Sequence, residues 1–493
     1  MKRSFLVGLL LAACGGTTAP APPPKPPAPP APALPRPDPE AWRNERPEPG
    51  AVVDHPFPEI ATKKLGNGLT LYVVGRHAGV VSLSVVAKGG AGTVPAGKSG
   101  LSALTVRMMT EGTKKHGALA LAEAVEAMGT TLQEDASRDS VRLAMTVLRE
   151  DLERGLGLLA EVVSEPAFSP TEFSRVQKEW LDDLEGERQS PGRLSSLVGL
   201  RLLLGTTLGA PVNGSRKDVA ALGTKDLVDY HRRTFVPESM ALVISGDVTL
   251  DAATPIAEKL FGHLRGKAER SEKEPAPPAP EAKQVVHLLD RPGAVQSALF
   301  VAQPFPKRGE PGEETRELLN ALFGGIFTSR LNMNLREEHA YTYGARSLDI
   351  ATRQWGAFGL MTSVRTDVTA KALSEAMKEL RAAKDPAAGR PITDAEVALA
   401  RVDLTQHLGA SLAHTGEVAA RVEDLFTREL PVDYYRRYPT LLDASDARMV
   451  ATEAQRLTPE AARIVVVGDE SAIRKDLEAL GFQIVTVPSE LAD

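Results

Sequence analysis

A twelve-residue stretch, Val236-Pro237-Glu238-Ser239-Met240-Ala241-Leu242-Val243-Ile244-Ser245-Gly246-Asp247, returns 222 residues later. The second copy reads Thr458-Pro459-Glu460-Ala461-Ala462-Arg463-Ile464-Val465-Val466-Val467-Gly468-Asp469. In each copy a Pro-Glu turn leads into an apolar, β-branched run closed by Gly-Asp, the pattern of a buried strand between turns. A helical pattern precedes each strand and another follows it. Short-period solenoids are excluded by a spacing this long, which means a duplicated domain. A chain of 493 residues is also longer than one hydrophobic core supports.

Inside the first copy, apolar runs or alternation predict strands over Leu71–Val74, Val81–Ala87 and Ser140–Val147. Helical spacing predicts helices over Leu101–Met109, Ala118–Met128 and Asp151–Val163. On Leu101–Met109 the expected core-facing stripe is Leu101, Leu104 and Met108. Strands grouped with helices on one side predict an α+β fold: two homologous α/β halves, each a mixed or antiparallel sheet covered by helices. The expected halves are residues 51–270 and 285–486. A Pro-rich linker, 271–284, lies between them, since Pro-dense sequence favours extended polyproline II over a packed core.

The start of the chain reads as an export signal. Lys2 and Arg3 precede an apolar run, Phe5 to Leu11, too short to span a bilayer. Leu11-Ala12-Ala13-Cys14 looks like a bacterial lipobox. Residues 1–13 are then a signal peptide, and Cys14 becomes the lipidated first residue of the mature chain. Residues 14–50, rich in Pro and Ala, form a tether. Gly15 after the cysteine points to the outer membrane; the expected place is the bacterial cell envelope, lipid-anchored and facing the periplasm, although the residues leave the side of the membrane open. Cys14 is the only cysteine, so internal disulfides, a cysteine-held zinc and, once acylated, a catalytic thiol are excluded. A net charge of −6 and 5% aromatic residues give no basic face or stacking platform for nucleic acid.

Two further stretches carry a resemblance. One is Gly97-Lys98-Ser99-Gly100-Leu101-Ser102-Ala103-Leu104-Thr105-Val106-Arg107-Met108-Met109-Thr110-Glu111-Gly112-Thr113. The other is Phe323-Gly324-Gly325-Ile326-Phe327-Thr328-Ser329-Arg330-Leu331, followed by Leu335-Arg336-Glu337-Glu338-His339-Ala340-Tyr341-Thr342-Tyr343-Gly344. They resemble the first-half and second-half signatures of the pitrilysin/insulinase family of zinc metallopeptidases, and the resemblance covers about residues 55 to 485. Active members carry H-x-x-E-H on the first helix: two histidines one turn apart hold zinc and the glutamate activates water. Here those places hold Ala103, Val106 and Arg107, and the place of the third ligand falls on Asp183. A zinc ion about 4 Å from Arg107 would be repelled by roughly 8 kcal/mol at an effective dielectric of 20. Arginine cannot shed its proton to escape. No two of the nine histidines stand at i and i+4, and no G-x-S-x-G elbow is present. The resemblance therefore implies no metal bound by this chain.

The second half keeps more. In the family an Arg and a Tyr seven residues on face the zinc across a chamber, the one holding a substrate carbonyl, the other donating to the oxyanion. Arg336 and Tyr343 match that pair, and both side chains offer the donors such chemistry needs. A solvated helix-end cation and an amphipathic aromatic account for them equally well. The family also binds peptide by strand addition, and Glu134 and Asp135 on the corresponding edge weaken that expectation here. Some bacterial members work as two chains, one holding zinc and one supplying the Arg/Tyr pair. The resemblance thus implies a non-catalytic subunit that completes the chamber of an envelope zinc peptidase. Its partners would be a zinc-bearing subunit of the same family and a peptide or unfolded polypeptide substrate. A stand-alone structural or peptide-binding lipoprotein is the alternative.

Overall fold

The computed structural model describes residues 56–267 and 284–487, apart from three positions between 386 and 389, together with Glu40 and Arg43. The signal peptide, Cys14 and nearly all of the tether and linker lie outside the described residues.

Two six-stranded mixed sheets dominate. The first is built from β1 (Ala61–Lys64), β2 (Thr70–Gly75), β3 (Val80–Lys88), β4 (Gln133–Ala136), β5 (Ser140–Leu148) and β6 (Met240–Gly246), in the order β1-β2-β6-β3-β5-β4. The second is built from β7 (Val285–Asp290), β8 (Gln296–Phe305), β9 (Ala345–Ala351), β10 (Gly356–Arg365), β11 (Arg463–Gly468) and β12 (Gln483–Thr486), in the order β12-β7-β11-β8-β10-β9. Five strands of each follow the same path, β2-β6-β3-β5-β4 matching β7-β11-β8-β10-β9. The repeated sequence forms the central strands β6 and β11, each parallel to one neighbour and antiparallel to the other. Fully buried β-branched runs suit such positions, because both faces are covered.

The first-half helices begin with α1 (Leu101–Met109), α2 (Ala118–Glu126), α3 (Leu152–Ser164), α4 (Pro170–Gln189) and α5 (Pro191–Leu208). One face of the first sheet, through Leu71, Leu83, Val85, Leu143 and Ile244, packs on α1, α3 and the helix Leu250–Phe261. The opposite face, through Val74, Val86, Ala241 and Val243, is covered by the helix Thr415–Arg428 of the second half. The converse holds on the other side. In the second sheet, Ala298, Phe300, Ala302, Val465 and Val467 are covered by Leu194, Val198, Leu203 and Leu204 of α5, which belongs to the first half. Helices on one side only were the expectation from sequence. Instead, each half lends a helix to the other's sheet, and Val52–Asp493 forms one compact unit. Amphipathic period cannot reveal this, since it marks a buried face without naming the cover.

Polar contacts follow the same seam. Asp139 at the β4–β5 turn receives Arg308 Nη1 at 3.0 Å and the Arg353 amide at 3.1 Å. Gln354 Nε2 donates to the Gly92 carbonyl at 2.9 Å. Ser82 shares hydrogen bonds with Thr146 (2.8 Å) and with Thr415 of the second half (2.7 Å).

Candidate functional site

Gly100 opens α1 in the left-handed region (φ 89°), where its Cα packs so closely that a Cβ would fall 2.8 Å from the Asn213 carbonyl. The helix behind it is buried on nearly every side. Leu101, Leu104 and Met108 face the core as expected, but Ala103 and Val106 are buried too. Only Arg107 keeps appreciable solvent contact.

An ion network occupies the place where the resemblance would put a metal. Arg107 Nη2 lies 2.7 Å from Glu111 Oε1, Nη1 donates to Thr110 Oγ1 at 3.2 Å, and the same Nη1 lies 3.7 Å from Glu134 Oε1 on β4. The other Glu111 oxygen is held by Arg175 Nη2 of α4, which also binds Glu172 at 2.9 Å and Glu179 at 3.0 Å. Glu111 is buried, so its carboxylate is bridged by two guanidiniums, satisfying charge and lone pairs together. Burial pushes the Glu134 carboxyl above its usual range, while Arg107 pulls it down. Asp183 is exposed on α4, its neighbour Leu184 being the one turned inward. Among the described residues no group of three or more His, Cys, Asp or Glu side chains could hold a metal ion. The donor set at this helix therefore does not fit zinc.

The second-half signature is arranged around a buried arginine. Arg330, 1% exposed, forms a bidentate pair with Glu396 (2.8 Å at both contacts) and donates to the carbonyls of Arg390 (3.0 Å) and Pro391 (2.8 Å). Asn332 fastens the following turn by accepting the Ala345 amide at 3.0 Å. Arg336 lies on the π-helical turn Met333–Glu338. Its guanidinium sits 4.5 Å from the centre of the Phe327 ring and 3.5 Å from Glu337. Ala340, at φ 51°, reverses the chain, and Thr342 Oγ1 ties the loop to β10 through the Ser363 carbonyl at 2.7 Å. Tyr343 follows in this loop, 93% exposed, and Phe327 of the same signature also faces solvent.

Family models match both halves. Residues 73–197 match the model described as Insulinase (Peptidase family M16), and residues 221–401 match Peptidase M16 inactive domain. The chain belongs to the insulinase family. An uncharacterized zinc protease of Rickettsia bellii is 23% identical over 324 residues, 64% of this chain and 76% of that one. The non-peptidase homolog YmxG of Helicobacter pylori is 22% identical over 291 residues, 58% of this chain and 66% of that one. Among solved structures, the peptidase M16 inactive domain from Pseudomonas fluorescens superposes with a TM-score of 0.75 at 22% identity, covering 83% of this chain and 98% of that one. A protease from Helicobacter pylori gives 0.73 at 17%, covering 84% and 100%. Both likenesses are of fold.

Within this insulinase-family frame, several site residues escape sequence reasoning. Glu111, four residues after Arg107, carried an ordinary helical ion-pair signal. Arg175 and Glu134 carried none, because tertiary packing alone brings them to α1. For Arg330 the hint was indirect: Thr393 and Glu396 form a capping box, which placed Glu396 at a helix start but not against its arginine.

Proposed function

We propose that this chain is a non-catalytic member of the insulinase family that serves as one subunit of an envelope zinc metallopeptidase. It completes the chamber and presents Arg336 and Tyr343 to a zinc-bearing partner. One asymmetry carries the reading. The first-half signature helix has no ligand, its metal place being filled by Arg107, Glu111 and Arg175, while the second half presents Tyr343 almost fully to solvent. A phenol there suits donation to a developing oxyanion, and the guanidinium of Arg336 suits a substrate carbonyl. The non-peptidase name of the Helicobacter pylori relative agrees with a chain that does no hydrolysis alone. Acylated Cys14 holds the subunit at the outer membrane, facing the periplasm.

Tagged chain isolated from native membranes should bring down a second chain carrying H-x-x-E-H. The pair should cleave peptides, and Tyr343→Phe should lower turnover by about 10²–10³ with the pair intact. Recovery of the chain alone, or an intact Phe-variant pair working at the normal rate, would overturn the proposal.

A further inference from the structure

A cavity of about 590 Å³ opens between the first sheet and the helix Thr415–Arg428, lined by residues of neither signature. Its wall carries Ser82, Ser84 and Arg142 from the sheet and Thr415, Glu417 and Glu423 from the helix. Glu423 is only 6% exposed, and one carboxylate oxygen lies 3.1 Å from Arg142 Nε. The other, Oε1, makes no hydrogen bond, and neither do the Ser84 hydroxyl and Arg142 Nε of the same cavity; burial pushes the Glu423 carboxyl above its ordinary range, while Arg142 and Ser84 pull it down. A buried carboxylate oxygen without a donor is costly, about 1–3 kcal/mol or more, and calls for an occupant.

The charge around the cavity states what that occupant is. Asp135 stands directly across the β4–β5 ladder from Arg142, on the same face of the sheet, and its field is felt at Glu423. Glu423, Glu417 and Asp135 thus oppose a single guanidinium. Four hydroxyls, on Ser82, Ser84, Thr146 and Thr415, add acceptor capacity. Gly416 lines the cavity without a side chain, and a Cβ there would meet Ser82 Oγ at an ordinary 3.7 Å. Anions are disfavoured by this balance, and a compact cation with several N–H donors fits it.

We propose that this cavity is a binding site for a primary ammonium group, held by Glu423 Oε1 and the surrounding hydroxyls. The group could arrive on the amino end of a peptide or on a free diamine.

Titration calorimetry on the purified full chain, with no partner present, tests this separately from the subunit role. The probes are the tripeptide amide Ala-Gly-Ser, its N-acetyl form, and putrescine. The free tripeptide should bind and the acetylated form should bind at least tenfold more weakly. Glu423→Gln, which keeps shape and removes charge, should lose at least tenfold as well. Gly416→Leu, which puts a bulky side chain on the cavity wall and leaves Glu423 unchanged, gives the same readout should the Gln variant fail to fold. Putrescine binding as tightly as the peptide would assign the site to amines at large, and weaker putrescine binding would assign it to peptide ends. Equal binding of free and acetylated peptide, no loss in folded variants, or no heat from any probe would overturn the proposal.

Discussion

Gly199 of α5 lies flat against Phe300 of β8, so close that a Cβ on the glycine would fall 2.2 Å from the ring. Phe300 is fully buried and pinned by its sheet neighbours, so neither partner can retreat cheaply. Gly199→Ala should destabilise the protein by about 1–3 kcal/mol through overpacking, against the usual gain from alanine in a helix. Because α5 covers the second half's sheet, both halves should melt together in one denaturant transition. A separate, unshifted first-half transition would contradict the shared core.

The Arg107–Glu111–Arg175 bridge yields a second expectation. Glu111→Ala leaves two guanidiniums facing each other without their common carboxylate, and should cost about 1–3 kcal/mol in urea denaturation. Glu179→Ala, on an exposed partner of the same Arg175, should cost less than about 1 kcal/mol. Similar losses would mean that the bridge is incidental. Purified wild-type chain should carry well under one zinc by elemental analysis, since the fixed cation at Arg107 opposes the ion.

A half-buried glutamate in the second half sets a pH response. Burial pushes the Glu317 carboxyl to about 7, and the neighbouring Glu313 and Asp349 carboxylates raise it further. Tyr438 donates to Glu317. A carboxyl with a raised folded-state pKa binds more protons folded than unfolded. Its stabilising contribution is complete below the ordinary carboxylate range and declines as pH climbs through about 7. Wild-type protein should therefore lose roughly 1–3 kcal/mol relative to Glu317→Gln between pH 5 and pH 8. The comparison with Gln removes groups of opposite sign such as His231, whose buried imidazole is pushed down. A pH-independent difference would refute the assignment.

Membrane attachment is expected to depend on Cys14 alone. Cys14→Ser should release the protein from membranes or leave an unprocessed precursor in fractionation. No described helix is long and apolar enough to cross a bilayer. Normal processing with full membrane retention would rule out lipid anchoring at Cys14.

Much of the fold was legible before any coordinates. The predicted Leu101–Met109 helix matches α1, and the predicted strands fall within β2, β3 and β5. These are strongly periodic segments whose own apolar pattern marks them, although β2 and β3 pair with β6 some 160 residues later. The short edge strands β1 and β12 gave no comparable pattern, because both are largely solvent-exposed and lack an apolar face. The bare signature positions Ala103, Val106 and Arg107 could be read by spacing, whereas the network that fills them could not. Glu111, Glu134 and Arg175 come from three elements, and only packing makes them neighbours. The Glu423 cavity was invisible for the same reason, its walls being separated by some 270 residues.

The exchanged helices bear on how the chain comes into being. When β6 has been synthesised, the first sheet still lacks the helix Thr415–Arg428, which follows roughly 170 residues later. At roughly 5–20 residues per second, that is about ten to thirty seconds of translation. Throughout, Val74, Val86, Ala241 and Val243 face water, an open apolar surface bordered by strands. The first half thus carries an unfinished core until the second arrives, and a gene cut between the halves would yield two fragments with matching open apolar faces.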